Sequence, residues 1–141
     1  MSYKMWLTKQ CDKHAKIVYK LLQRGYAKTK IIDYFEYENM RQNEADFCPL
    51  YKDKTRCHDI VYLNCYLCAC PNFRFSDLGI RKTNGKTEYS HCAVNSTDGK
   101  QSEFNGQIHQ DCSGCTLPHE KKYIAKHFKK ELKEIMKNCE L

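Results

Sequence analysis

Eight of the chain's ten cysteines fall between Cys48 and Cys115, and four of them form two Cys-x2-Cys pairs, Cys65-Tyr66-Leu67-Cys68 and Cys112-Ser113-Gly114-Cys115. Two residues between thiols is the spacing at which one tight turn aims both sulfurs at a single ion, so two pairs with flanking ligands point to metal. A single pair would also suit a thioredoxin-like redox couple. That reading needs a strand-to-helix setting the sequence here lacks, and it leaves the other cysteines unexplained. In an oxidising compartment the same cysteines would form a disulfide framework. The opening residues Met1 to Gln10 hold no apolar run of signal-peptide length and no small-residue cleavage pattern. The expectation is therefore a reducing, cytoplasmic setting, in which dense cysteine means metal or redox chemistry.

The ligand-capable residues of the middle are Cys48, Cys57, His58, Cys65, Cys68, Cys70, Cys92, Cys112, Cys115 and His119. Eight thiols divide into two four-ligand sites, with His58 and His119 as substitutes or as groups supporting the ligands. Cys70 makes the first pair unusual. Crowding between Cys68 and Cys70, two apart, favours their going to neighbouring sites or to a shared cluster. Thiolate-rich tetrahedral ligation suits Zn²⁺ and iron–sulfur clusters alike. Pro71 after Cys70 is reminiscent of a ferredoxin run, but the second x2-spaced cysteine that completes such a run is absent. Two zinc ions are the expected cofactors, with an Fe–S cluster as the alternative.

At 141 residues one domain, or a domain with an appendage, is expected, and 41% hydrophobic with 29% charged residues excludes wholesale disorder. No apolar stretch approaches the roughly 18 residues that span a bilayer, so no membrane partner is expected. Before Cys48 the pattern is helical. Asp12 as a cap, Ala15, Val18, Leu21 and Leu22 at helical spacing, and Gly25 as a stop predict a helix over 13–24. A second segment, capped by Thr29, carries Ile31, Ile32 and Phe35 on one stripe. With Lys28 and Lys30 this faintly resembles the start of a helix-turn-helix, but its third helix, about 39–47, contains Glu44 and Asp46, which phosphate repels. From Pro71 to Gln110 turn chemistry takes over: Asn84-Gly85 signals a hairpin, and Asp98-Gly99 and Asn105-Gly106 punctuate the rest. From His119 to Asn138, Ile124, Phe128, Leu132 and Ile135 predict one amphipathic helix, its opposite face rich in solvated lysine. The expected fold class is α+β, a small metal-stabilised domain with an irregular cysteine-rich middle, short hairpins and flanking helices. Residues 1–45 form an N-terminal helical hairpin, and 46–141 a cysteine-rich metal-binding domain ending in the amphipathic helix.

The series Phe47-Cys48, Cys57-His58, Cys65-Tyr-Leu-Cys68-Ala-Cys70-Pro71, Cys92 and Cys112-Ser-Gly-Cys115-Thr-Leu-Pro118-His119, followed by Tyr123 and Ile124, resembles the cysteine-rich small domain family. This is a zinc-finger-like group of prokaryotic proteins. The likeness covers about residues 47–130 and implies a metal-binding domain. The Cys48 to Cys57 spacing and the loop from Pro71 to Cys92 are longer than the family pattern, and residues 1–45 lie outside it.

Two functions compete. In the first, two zinc ions staple a loop-rich segment whose surface meets a protein partner or nucleic acid, with Tyr62, Tyr66, Phe73 and Phe75 as stacking candidates or as core. In the second, the chain is an Fe–S or zinc enzyme, or an enzyme subunit, in nucleobase or cofactor modification. An open zinc site would use His58 or His119, with Asp59 or Glu120 as proton carrier. The His-x-Glu and Pro-Cys-x2-Cys signature of the zinc deaminases is not present. Cys11 and Cys139 fall outside the ligand set, as a partly buried and a terminal exposed thiol.

Overall fold

The computed structural model describes residues 2–141, which form an α+β fold. Helix α1 runs Tyr3–Gln23 and so begins well before residue 13. Two groups satisfy its first amides. Ser2 Oγ accepts from Met5 N–H at 3.2 Å, and the Asp77 carboxylate, distant in sequence, accepts from Tyr3 and Lys4 at 3.2 and 3.1 Å. A carboxylate there also complements the helix dipole. At the other end Gly25 takes φ +79°, and Tyr26 and Gly25 donate to Leu21 and Leu22 in a Schellman stop. Helices α2, Lys28–Tyr34, and α3, Tyr37–Asn43, follow. The cap of α2 is Ala27, not Thr29.

These short helices hold the cysteine-rich segment. Tyr37 N–H donates to Leu63 O at 2.9 Å and Cys65 N–H to Phe35 O at 2.8 Å. Glu44, beyond α3, pairs with Lys20 and takes the Tyr34 hydroxyl. A 3₁₀ turn, Pro49–Asp53, comes next. The strands are β1 Phe73–Phe75, β2 Arg81–Thr83, β3 Lys86–Glu88, β4 Ser90–Cys92, β5 Lys100–Phe104 and β6 Gln107–Asp111. Strands β1 and β4 pair antiparallel. The other four lie in the order β2-β3-β6-β5, with β3 and β6 parallel. Asn84 and Gly85 take φ 53° and 77°, and Asn105 and Gly106 take 50° and 76°, the two positive angles a type I′ hairpin turn requires.

The C-terminal periodicity continues through Phe128, yet the chain forms two helices, α4 Lys121–His127 and α5 Leu132–Ile135. Phe128 is extended, at φ −58° and ψ 129°. Its ring stacks on Tyr66 at 5.1 Å, and the Tyr66 hydroxyl donates to Lys129 O, so tertiary contacts capture the chain where a continuous helix would have passed. Cys139 is buried rather than exposed, because Phe75 N–H donates to its carbonyl and Leu141 N–H to Phe75 O.

One apolar cluster joins the helices, the first Cys-x2-Cys turn and β1, including Leu21, Phe35, Met40, Leu63, Tyr66, Leu67, Ile124 and Leu132, and the four-stranded sheet contributes nothing to it. Tyr66 and Phe75 belong to it and are withdrawn from any surface; Tyr62 and Phe73 are partly buried. Among the described residues no helix is long and apolar enough to cross a membrane.

His14 sits fully buried among Phe35, Phe47 and Tyr66. Its Nε2–H donates to Tyr66 O at 3.1 Å, and Nδ1 has no partner. Burial holds its pKa down at about 4. The neutral ring is the folded form, so this contribution is intact above the unfolded value of about 6.5 and is lost as pH falls toward 4. Stability should drop by about 1.4 kcal/mol per pH unit in that window, about 2 kcal/mol between pH 6.5 and 5. Urea unfolding of the wild type and of His14→Leu at both pH values checks this; equal pH slopes would refute it.

Candidate metal centre

Strand pairing builds one thiol group. Antiparallel β1 and β4 set Phe73 opposite Cys92, and Phe73 N–H donates back to Cys70 O at 3.0 Å, which puts Cys70 beside Cys92. The turn after β6 then supplies Cys112 and Cys115, closed by Cys115 N–H to Cys112 O at 3.0 Å. The four thiols line one cavity of about 30 Å³ whose other walls include Phe73, Leu117 and Pro118. Asn72 N–H points at Cys70 Sγ at 3.4 Å, and Ser96 Oγ lies 3.4 Å from Cys115 Sγ. Tyr123, its hydroxyl accepting from Asn72 Nδ2 at 2.9 Å, stands beside Cys70.

A second thiol group comprises Cys48, Cys57, Cys65 and Cys68. Cys48 enters the 3₁₀ turn, whose Tyr51 hydroxyl lies against the Cys65 thiol. Gln10, buried on α1, donates its amide to Phe47 O at 3.0 Å and to Cys68 Sγ at 3.3 Å. The chain bends at Cys68 and Ala69, and Cys68 lies near Cys65 and Cys48 while Cys70 lies near Cys112, Cys92 and Cys115.

Electrostatics follows from that crowding. Burial pushes Cys70 up to about 11, and the neighbouring Cys112, Cys92 and Cys115 add to it. Burial likewise holds Cys65 and Cys68 at about 12, with Cys57 and Cys48 adding to the first and Cys65 and Cys48 to the second. Cys57 and Cys112 are raised by the same two causes, burial first. Thiols crowded in this way ionise together far more readily if a cation is supplied among them, so the donor set fits a soft or borderline metal ion.

The two histidines converge on Cys57. His58 Nδ1 is 3.2 Å and His119 Nε2 3.8 Å from its Sγ. Among the described residues these are the one group of three or more ligand atoms lying within 4.8 Å of one another. Burial lowers His119 below the usual imidazole range. Asp59 and Glu120 flank the histidines in sequence, but both side chains are exposed at the surface.

Supporting residues absent from the sequence reading are Gln10, Asn64 and Tyr51. Asn64 is fully buried, donates to Ile32 O at 2.7 Å and accepts from Tyr66 N–H at 2.9 Å, which fixes the turn carrying Cys65 and Cys68. Gln10 and His14, two polar residues on the buried stripe of α1, were the available signal. Gly114 matters for space: a Cβ there would lie 2.8 Å from the backbone oxygen of Asp98. Gly114→Ala should therefore destabilise the Cys112–Cys115 turn by about 1–3 kcal/mol, read as a lower midpoint in urea; an unchanged midpoint would show that the backbone yields freely. Comparison of the chain with protein-family models, with curated proteins and with solved structures finds no match.

Proposed function

We propose that this is a cytoplasmic metal-binding protein in which two zinc ions, one in each thiol group, staple a cysteine-rich module that presents its surface to a protein partner or to nucleic acid. The observation that carries the reading is the cavity shared by Cys70, Cys92, Cys112 and Cys115, four thiols from three separate parts of the chain. The edge between ligands of a tetrahedral Zn–S₄ site is about 3.8 Å, so loading draws the thiols inward from their present spacing. The strands around them are three to five residues long and the four-stranded sheet is largely exposed, so the ion supplies the stabilisation that a core would otherwise give. The resemblance to the cysteine-rich small domain family belongs to the same reading. The formal net charge of +7, which two ions each held by four thiolates would lower to +3, stays positive and suits an anionic partner.

Elemental analysis with an absorption spectrum on protein purified without oxygen tests it. At least two zinc ions per chain and no visible colour is the expected result. Iron with acid-labile sulfide and broad brown absorbance would overturn it in favour of an Fe–S protein, and metal-free folded protein would overturn both.

A further inference from the structure

Two imidazoles beside a thiol need not be a site; what distinguishes His58 and His119 is how their remaining nitrogens are used. His119 Nδ1 lies 2.9 Å from Asn64 O, and His58 Nε2 lies 3.0 Å from Cys112 O. A carbonyl only accepts, so each of these nitrogens carries the proton. That leaves the lone pair of His119 Nε2 and of His58 Nδ1 facing Cys57 Sγ. Fixing a ring by an N–H to backbone carbonyl bond, with the other nitrogen presented to an ion, is how proteins orient metal-ligating histidine.

The spacing agrees with that use. With Zn–S of about 2.3 Å and Zn–N of about 2.05 Å, a tetrahedral ion separates a sulfur from a nitrogen ligand by about 3.6 Å. The two observed separations, 3.2 and 3.8 Å, bracket that edge. The rings stand 4.5 Å apart, tilted by 50°. His119 is buried, His58 half-buried and Cys57 exposed, so the group opens to solvent on one side.

We propose that Cys57, His58 and His119 hold a divalent transition-metal ion through one sulfur and two nitrogens, with the fourth coordination position facing solvent. This rests on the reading of the chain as a metal-binding protein and goes beyond it. Cys57 is the thiol that both the second group and the imidazoles reach, and the ion beside it has room for water or for a small thiol or nitrogen ligand.

The test uses the full chain loaded with Co²⁺ without oxygen. The wild type should bind one equivalent more than His58→Ala/His119→Gln, and that equivalent should be the first removed by a chelator. Proton NMR of the Co²⁺ form, which needs no variant, should show two exchangeable, paramagnetically shifted imidazole N–H resonances, those of His58 Nε2 and His119 Nδ1. Added imidazole should shift the visible bands of the wild type. A folded variant with the wild-type equivalents, or a Co²⁺ spectrum with thiolate charge transfer but no shifted imidazole signals, would overturn this site alone. Visible bands indifferent to imidazole would overturn the open position. No cobalt binding of any kind would instead overturn the metal-binding reading itself.

Discussion

Cys70→Ser and Cys112→Ser are each expected to release one metal ion and to unfold the segment from β4 through Pro118. The lost term is large, because an ion held by a structural site contributes about 10–16 kcal/mol in small zinc domains, as much as the whole stability of an ordinary domain. Nothing local replaces it: β5 is exposed along its length and β2 likewise, so the four-stranded sheet has little apolar area to hold it on the protein. Metal content by mass spectrometry and amide exchange in β5 and β6 give the readout. Cys139→Ser serves as control, keeping the wild-type ions although its buried thiol contacts Pro71 O at 3.5 Å. Full metal content and unchanged exchange in Cys70→Ser and Cys112→Ser would remove these residues from the ligand set.

Tyr66→Ala should cost about 3–5 kcal/mol, the range for truncating a fully buried aromatic ring. Tyr66 touches His14 at 4.4 Å, Phe35 at 4.8 Å and Phe128 at 5.1 Å between ring centroids, so it is where α1, the short helices and the C-terminal segment meet. Tyr66→Phe keeps the ring and loses only the hydroxyl's bond to Lys129 O, at about 1 kcal/mol. In that variant the loss should concentrate in faster amide exchange from Lys129 to Met136. Urea unfolding of both variants checks the magnitudes; equal costs would mean that the hydroxyl, not the ring, carries the contact.

The parts of this fold that can be read from sequence are those whose cause is local. Asn84-Gly85 and Asn105-Gly106 announce their turns because few other residues accept two consecutive positive φ angles. Cys68 and Cys70, two apart, point to neighbouring sites or to a shared cluster, and spacing alone does not choose between them. The N-terminal start of α1 is only partly legible: Ser2, its cap, is a local signal, but Asp77, which takes two further amides, is more than seventy residues away. The break at Phe128 is equally hidden: the apolar spacing runs on unbroken, and only Tyr66, placed by the cysteine-rich turn, stops the helix. At the candidate site the sequence offers the thiols and imidazoles as candidate ligands, but not their grouping. It depends on β1 pairing with β4 and on the carbonyls of Asn64 and Cys112, neither of which leaves a mark on spacing.

The link Cys68-Ala69-Cys70 places one thiol in each group with a single residue between them, and Ala69 is buried. Two Cα atoms so joined span at most about 7 Å, so ordering either thiol nearly fixes the position of the other. On the metal-binding reading, the first ion to arrive meets the full loop-closure entropy of the cysteine-rich segment, and the second meets a chain already partly closed. Uptake should then be steeper than two independent sites allow, and partly loaded protein scarce: the chain would respond to available metal as a threshold rather than in proportion to it.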